Sequence, residues 1–172
     1  MSQENTLSLA DRQLSAIAGL VRVLESRGID FWLFGGWAVD FWAGEVTREH
    51  DDIDVAAWRA DYHSIQVALT TAGWRHAPVA DEVIGTRYEL ASAMVEFTFV
   101  TRSADGHIVL PMPEQPIVWS TQPFGNDWRE LGDVRCRVLP LALLKAGKAS
   151  PREGVVEAAK DRADSQALAR LP

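Results

Sequence analysis

The sequence predicts an α/β protein, of the α+β type, in which helices flank a mixed β-sheet. Apolar residues recur at three- and four-residue spacing in the first helix, at Leu14, Ile17, Leu20, Val21 and Leu24. Short apolar or alternating runs lie between the helical segments and are typical of strands. Because helical and strand segments alternate along the chain, a sheet core covered by helices is favoured.

The predicted helices share apolar periodicity and recognisable ends. They cover residues 7–27, 37–42, 61–72, 140–148 and 153–171. Gly28 and Gly73 stand where a C-terminal cap is expected, and Pro140 stands at a first helical position, where proline is tolerated. We expect residues 1–139 to form the core and residues 140–172 to form C-terminal helices packed on it, as one structural unit.

The predicted strands are short runs bounded by turn residues. They cover residues 29–34, 53–57, 74–76, 87–90, 94–100 and 133–139. The segment 105–126 is rich in proline and glycine, which predicts a loop-rich excursion with short strands that shapes a pocket wall.

Composition limits the class of protein. The chain has 172 residues, 47% of them hydrophobic, which fits one domain with a sizeable core. No apolar run approaches the ~20 residues of a membrane span, and the first residues lack the pattern of a signal peptide. The single cysteine, Cys136, excludes an internal disulfide and a cysteine zinc cluster. We expect a cytoplasmic protein.

The net charge of −7 argues against a broad nucleic-acid-binding surface, which normally carries a basic stripe. It suits a cationic small substrate, although ordinary solubility explains it as well. The chain has seven tryptophans. Most are expected in the core or in a pocket wall, and a few are free to stack on a base or sugar.

Asp52 and Asp54 are separated by one residue at the start of the second predicted strand. Because strand side chains alternate faces, these two carboxylates point the same way, about 7 Å apart along the backbone. Like charges so close repel unless a cation neutralises them, and Mg²⁺ takes carboxylate and phosphate oxygens. The pair therefore predicts a magnesium site, and Asp51, of opposite parity, is expected to point away. The alternative is an acidic turn at a strand start, where Asp is common.

Gly35 and Gly36 interrupt the chain between the first strand and the short helix. Without Cβ atoms they let another group approach the backbone closely. The helix that follows presents bare amides at its N-terminus, which is a ready site for phosphate. We interpret this turn as the cradle of a polyphosphate whose magnesium is held by Asp52 and Asp54.

The stretch from the glycine pair to Asp54, GGWAVDFWAGEVTREHDDID, carries a specific resemblance. A Gly-Gly turn followed by Asp-x-Asp on the next strand resembles the nucleotidyltransferase superfamily that includes DNA polymerase beta. The longer string is similar to the branch of aminoglycoside 2″-adenylyltransferases and lincosamide nucleotidyltransferases. That branch carries Gly-Gly-Trp-Ala-x-Asp, matched by residues 35–40, and Thr-Arg-x-His-Asp-Asp-Ile-Asp, matched by residues 47–54.

The resemblance implies a third carboxylate on a strand after the Asp-x-Asp strand. Glu96 stands there as the one charge within the alternating run 94–100, and an acid inside an apolar strand is unusual unless it is paired or binds a metal. Many relatives have Asp at this place, so Glu96 is a departure. Two roles stay open, third metal ligand and general base, and we favour the base with a secondary metal contact. The alternative is an edge-strand glutamate that faces solvent.

Other residues have open roles. Arg48 either neutralises phosphate or pairs with Asp51. His50 is interpreted as structural, since magnesium avoids nitrogen ligands, and Asp40, on the short helix, is interpreted as structural as well. The resemblance implies a Lys-Asp-x-x-Asp pattern near the C-terminus, matched by residues 160–164. Lys145 is the first choice for a lysine that reaches the triphosphate, and solvated helix faces are the alternative for each lysine.

The activity that the resemblance implies is transfer of a nucleoside monophosphate, AMP from ATP or from another nucleoside triphosphate, to a hydroxyl group. Asp52 and Asp54 would hold two magnesium ions, and Glu96 would take the proton. An aminoglycoside- or lincosamide-type antibiotic is the expected acceptor, so we expect a resistance enzyme. Five acidic residues of predicted loops were considered for the acceptor site: Asp81, Glu82, Glu114, Asp127 and Glu130.

Two alternatives remain at this point. One is a toxin-like nucleotidyltransferase that modifies tRNA or a protein, although the last third of the chain offers only a modest basic patch for tRNA. The other is a non-catalytic nucleotide-binding domain, against which the presence of all three carboxylates argues.

Overall fold

A computed structural model of the protein describes residues 7–149 and 154–172. Its helices are α1 Leu9–Glu25, α2 Gly35–Ala43, α3 Tyr62–Thr71, α4 Leu141–Ala149 and α5 Val155–Ala169. Its strands are β1 Phe31–Phe34, β2 Ile53–Trp58, β3 Arg75–His76, β4 Gly85–Leu90, β5 Ala93–Arg102, β6 Ile108–Leu110, β7 Ile117–Ser120, β8 Asp127–Leu131 and β9 Val134–Val138. The predicted α/β class with a mixed sheet and flanking helices is confirmed.

The ends of the helices depart from the predicted ones for local reasons. Helix α1 begins at Leu9 rather than at residue 7, because Ser8 caps it: the backbone amide of Asp11 donates to Ser8 Oγ, and Asp11 Oδ2 accepts from the Ser8 amide. Helix α2 already begins at Gly35, two residues before the predicted start. The predicted start of the last helix, residue 153, lies outside the described residues.

Strand β8 is not among the predicted strands, since the prediction assigns no element to residues 127–132. Its sequence, DWREL, has three charged residues among five and lies at the edge of the sheet, where the strand pairs antiparallel with β9. An edge strand with one solvated face needs no apolar run, and so it gives a weak sequence signal. The loop-rich segment does carry short strands, β6 and β7, as expected.

The main sheet has the order β3-β4-β5-β2-β1-β9-β8, and β6 and β7 extend it from β5. Strands β2 and β5 are parallel, as are β1 and β9, whereas β1 and β2 are antiparallel. The two carboxylate-bearing strands, β2 and β5, are therefore direct neighbours in the middle of the sheet.

The two faces of the sheet differ in character. Leu33, Val55 and Phe97 are register partners across β1, β2 and β5 and are buried. They belong to the core that includes the apolar stripe of α1. The next residue along each strand points to the opposite face, so Phe34, Asp54 and Glu96 form a second row there.

Aromatic rings cover part of that second face. Trp119 contacts Phe34 and Phe124 edge-on, with ring centroids 5.1 and 5.2 Å apart. Trp32 in turn contacts Phe124 and Trp58, at 5.4 and 5.8 Å. Edge-to-face pairs at such distances are favourable arrangements. The cluster fixes the β6–β7 hairpin beside the row that carries the carboxylates.

Within the described residues, none of the helices combines the length and the apolar character that a membrane crossing requires.

Candidate active site

A cleft of about 600 Å³ opens on the second face of the sheet. Helices α4 and α5 and Trp119 of the β6–β7 hairpin line it. The β1–α2 junction and the acidic ends of β2 and β5 also line it. The cleft thus brings together four parts of the chain that are distant in sequence: residues 34–54, Glu96, Trp119 and residues 139–161.

Asp52, Asp54 and Glu96 lie together in this cleft. One carboxylate oxygen of each lies within 4.8 Å of the others, and all three residues are half-buried. Asp54 and Glu96 are register partners on parallel strands, so they leave the sheet on the same face. Three negative charges at this spacing repel one another, and an all-oxygen donor set of this kind fits Mg²⁺.

Glu96 has a second charged neighbour. Arg87 stands opposite it on β4, and Arg87 Nε lies 2.6 Å from Glu96 Oε1. Glu96 therefore lies between Asp54 on one adjacent strand and Arg87 on the other. The sequence analysis gave no role to Arg87, because pairing across strands depends on a register that one strand alone does not show.

Gly35 has a steric reason to be glycine. Its φ is +64°, in the left-handed region, and a Cβ there would overlap the Asp54 carboxylate. A Cβ on Gly36 would overlap the side chains of Arg48 and His50. The space that the glycine pair leaves is thus used by side chains of the motif itself. No side chain caps α2 at Phe34 among the described residues, and Phe34, Gly35 and Gly36 line the cleft.

Asp40 holds the loop that leads to the acidic strand. It is fully buried and accepts hydrogen bonds from the Thr47 amide and hydroxyl, at 3.0 and 2.6 Å. Its second oxygen lies 2.5 Å from His50 Nε2, and Gln13 Nε2 donates to the His50 carbonyl at 3.0 Å. Asp40 and His50 have the structural role expected of them, because together they fix the backbone from which Asp52 extends.

Arg48 connects this loop to the C-terminal helix. Its guanidinium makes a two-pronged pair with Asp164, with Nε and Nη2 at 2.7 and 3.0 Å from the two carboxylate oxygens. Lys148 Nζ lies 2.7 Å from the same Asp164 and 3.1 Å from Asp161. Asp164 is a partner of Arg48 that the sequence analysis did not consider.

Asp164 is fully buried between these cations. Burial alone raises the pKa of Asp164, but the hydrogen bonds and charges of Arg48 and Lys148 outweigh it and hold that pKa below its usual value. Lys160 similarly pairs with Asp51, and its hydrogen bond and charge lower the pKa of the Asp51 carboxyl. The ion pairs Arg48–Asp164 and Asp51–Lys160 thus join helix α5 to the loop between α2 and β2.

The lysine of α4 that lines the cleft is Lys148, not Lys145. At 3.6 residues per turn, Lys148 lies about 40° around the helix from the buried Leu144, whereas Lys145 lies about 100° away. Lys145 is exposed and does not line the cleft. Lys160 of α5 also lines the cleft, so its cations are Arg48, Lys148 and Lys160.

The five loop acids considered for the acceptor site lie elsewhere, since none belongs to the cleft as the described residues define it. Glu82, for example, accepts hydrogen bonds from the Thr86 hydroxyl and the Val79 amide, at 2.7 and 3.0 Å. The cleft instead contains Glu157 and Trp119, which the sequence analysis did not select. The sequence around Glu157 and Trp119 gives no sign of a role in the site, because only the tertiary fold places these residues in the same cleft as the three carboxylates.

Comparison with known proteins agrees with this geometry. The model of the family described as aminoglycoside-2″-adenylyltransferase matches residues 16–168. The chain belongs to this family.

Curated relatives match a short stretch of the chain. The chain is 42% identical over 43 residues to the 2″-aminoglycoside nucleotidyltransferase of Escherichia coli, a stretch that covers 25% of this chain and 24% of that protein. The aligned part thus spans about a quarter of the length of that curated relative.

Solved structures share the fold over nearly the whole chain. The lincosamide antibiotic adenylyltransferase LnuA, bound to lincomycin, aligns with a TM-score of 0.72 at 19% identity, over 94% of this chain and 98% of that one. ANT(2″)-Ia in complex with adenylyl-2″-tobramycin aligns with a TM-score of 0.65 at 18% identity, over 91% and 90%. The predicted membership of this nucleotidyltransferase branch is confirmed, and the fold is the one that these adenylyltransferases have.

Proposed function

We propose that the protein is a magnesium-dependent nucleotidyltransferase that moves AMP from ATP to a hydroxyl group of a cationic antibiotic. The observation that carries this proposal is the meeting of Asp52, Asp54 and Glu96 within 4.8 Å, in a cleft beside the glycine turn. Membership of the aminoglycoside-2″-adenylyltransferase family supports the same reaction.

The reaction is a displacement at phosphorus. The acceptor oxygen forms a bond to the α-phosphorus of ATP, the bond to the bridging oxygen breaks, and pyrophosphate leaves. Asp52, Asp54 and Glu96 would hold magnesium, and the bound metal would supply charge neutralisation and would lower the pKa of the hydroxyl. Glu96 accepts the proton of that hydroxyl, which requires an approach of about 3 Å. The chain contributes mainly by fixing the reacting groups in place.

The triphosphate is bound, in this proposal, on the side of the cleft that α2, α4 and α5 form. The N-terminus of α2, which lines the cleft, favours an anion, and Lys148 and Lys160 line the same space. Both lysines are paired with aspartates in the structure. The aspartates keep the two lysines in place before the nucleotide binds. A bound triphosphate would then share the lysines with the aspartates. We propose that Lys148 takes the role that the sequence analysis assigned to Lys145.

The acceptor enters from the side of Glu96 and Trp119, opposite the phosphates. Among the described residues of the cleft, carboxylates outnumber basic side chains by six to three. The acids are Asp51, Asp52, Asp54, Glu96, Glu157 and Asp161. Two magnesium ions balance the charge of ATP, so the excess of carboxylates attracts an acceptor with protonated amines.

The C-terminal helices belong to the same working unit in this proposal. Asp161 and Asp164 of α5 hold Lys148 of α4 in the cleft, so residues 140–172 complete the nucleotide site of the core 1–139. The reaction needs ATP and magnesium, and we propose the cytoplasm, which supplies both, as its location.

The deciding experiment incubates the protein with labelled ATP, Mg²⁺ and a panel of acceptors. Tobramycin and lincomycin represent the two antibiotic classes, and tRNA represents the toxin-like alternative. The proposal predicts pyrophosphate release only with an amine-bearing antibiotic, and an acceptor mass raised by one AMP group. Labelling of tRNA without labelling of any antibiotic would support the toxin reading. Nucleotide binding by calorimetry without turnover on any acceptor would support a non-catalytic domain.

A further inference from the structure

We propose that Arg87 is a positioning residue of the active site, which fixes the carboxylate of Glu96 beside Asp54. The inference rests on the proposed function, because Glu96 is the proton acceptor there. Nothing in the motif that runs from Gly35 to Asp54 points to Arg87, which lies more than thirty residues further along the chain.

Arg87 and Glu96 form a direct cross-strand pair. They are register partners on the antiparallel strands β4 and β5, and Arg87 Nε lies 2.6 Å from Glu96 Oε1. The row continues on the other side of Glu96 to Asp54 and Phe34. Arg87 therefore approaches Glu96 from the side opposite the other carboxylates.

Glu96 needs such an anchor more than its two partners do. Its side chain has one more rotatable bond than that of Asp52 or Asp54, and the charges of both aspartates repel it. Without a cation on the far side, its carboxylate gains rotamers that point out of the cluster. An ion pair between a guanidinium and one oxygen disfavours those rotamers and leaves the remaining lone pairs for a metal or a proton.

A neighbouring ion pair on the same sheet provides the control. Arg75 and Glu89 are register partners on β3 and β4, and they also form a cross-strand pair. Their pair lies outside the cleft as described. Loss of the Arg75 charge therefore reproduces the loss of a cross-strand ion pair without touching the carboxylate cluster.

The test measures steady-state kinetics and Mn²⁺ binding for Arg87→Gln, Arg87→Lys and Arg75→Gln. For Arg87→Gln we expect kcat to fall by about tenfold to a hundredfold, as when a group that orients a ligand is removed, with the KM for ATP nearly unchanged. Mn²⁺ affinity, titrated without nucleotide, falls by about tenfold. Arg87→Lys recovers part of both losses, and Arg75→Gln changes neither.

A double-mutant cycle separates positioning from general stabilisation. If Arg87 acts through Glu96, then Arg87→Gln has no further effect on kcat or on Mn²⁺ affinity once Glu96→Gln is present. Additive effects, or equal losses in Arg75→Gln, would overturn the inference, as would an Arg87→Gln protein with unchanged kcat and Mn²⁺ affinity.

The Mn²⁺ titration distinguishes failure of the proposed function from failure of the inference about Arg87. If the wild-type protein transfers no nucleotide to any acceptor, the proposed function fails, whereas the dependence of Mn²⁺ affinity on Arg87 still decides the inference. If transfer occurs and the Arg87 variants behave as the wild type, the inference alone fails.

Discussion

Asp54 of β2 and Glu96 of β5 are register partners on two parallel strands at the centre of the sheet. Their side chains leave the sheet on the same face, and with Asp52 they bring three carboxylate oxygens within 4.8 Å of one another. A shift of this register by one residue would place Glu96 on the buried face. The proposed chemistry therefore depends on strand pairing as much as on the presence of the acids.

Gly35→Ala is expected to lose activity as well as stability. An alanine at a φ of +64° costs about 1 kcal/mol or somewhat more, and its Cβ would displace the Asp54 carboxylate. A displacement of about 1 Å lowers kcat on the order of a hundredfold. Steady-state kinetics and denaturant unfolding measure the two effects.

Gly106→Ala is the matched control, because Gly106 has a φ of +82° and open space around its Cβ position. It should lose about the same stability and keep full kcat. Equal kcat in the two variants would show that the overlap with Asp54 does not matter.

Lys148→Ala is expected to raise the KM for ATP by about tenfold, which corresponds to about 1.4 kcal/mol of lost phosphate binding. Lys145→Ala should leave KM unchanged, because Lys145 lies outside the lining of the cleft. The two lysines share one helix, so the pair controls for helix stability. If Lys145→Ala raised the KM for ATP more than Lys148→Ala does, Lys145 would be the lysine that binds the phosphates, as the sequence predicts.

The motif from Gly35 to Asp54 contained enough information to predict the centre of the site. The same-face placement of Asp52 and Asp54 follows from strand alternation within one segment. The pairing of Glu96 with Asp54 needed the resemblance to the nucleotidyltransferases, because the register between β2 and β5 is set by tertiary packing. Neither strand alternation nor the resemblance to the nucleotidyltransferases pointed to Arg87.

The residues around the carboxylate cluster were harder to predict than the three carboxylates themselves. Trp119 lies in a proline- and glycine-rich segment without periodicity, and its position depends on ring contacts with Phe34 and Phe124. Asp164 was seen as part of a motif, but its burial between Arg48 and Lys148 requires three distant elements to meet. Long-range contacts of this kind leave no local pattern.

Asp164→Asn is expected to lower the free energy of unfolding by about 3 kcal/mol near neutral pH, because it breaks a buried pair and leaves Arg48 with less compensation. Burial raises the pKa of Asp164 in the folded protein, but the hydrogen bonds and charges of Arg48 and Lys148 outweigh burial and lower that pKa below its usual value. Its contribution to stability is therefore complete above the unfolded value of about 3.9 and is lost as the pH falls through the lower folded value.

The difference in unfolding free energy between the wild type and Asp164→Asn should be constant from about pH 7 to about pH 5 and should narrow below about pH 4. Urea unfolding at several pH values measures it. A difference that widens toward acid pH would contradict the assigned direction of the Asp164 shift.

Trp119→Ala is expected to raise the KM for the acceptor by about tenfold while the KM for ATP stays nearly constant, because Trp119 lines the cleft where the proposed function places the acceptor. Trp128→Ala is the control, since Trp128 is a half-buried tryptophan of β8 outside the described lining of the cleft. A rise in the KM for ATP instead would place the nucleotide base, not the acceptor, against Trp119.

The most direct test of the central claim is transfer of label from α-labelled ATP to an amine-bearing antibiotic by the wild type and by Asp54→Asn. The exposed Asp105→Asn serves as the control for loss of an acidic charge. The account predicts labelled antibiotic with the wild type and with Asp105→Asn, and none with a folded Asp54→Asn protein. Labelling by Asp54→Asn at the wild-type rate would contradict it.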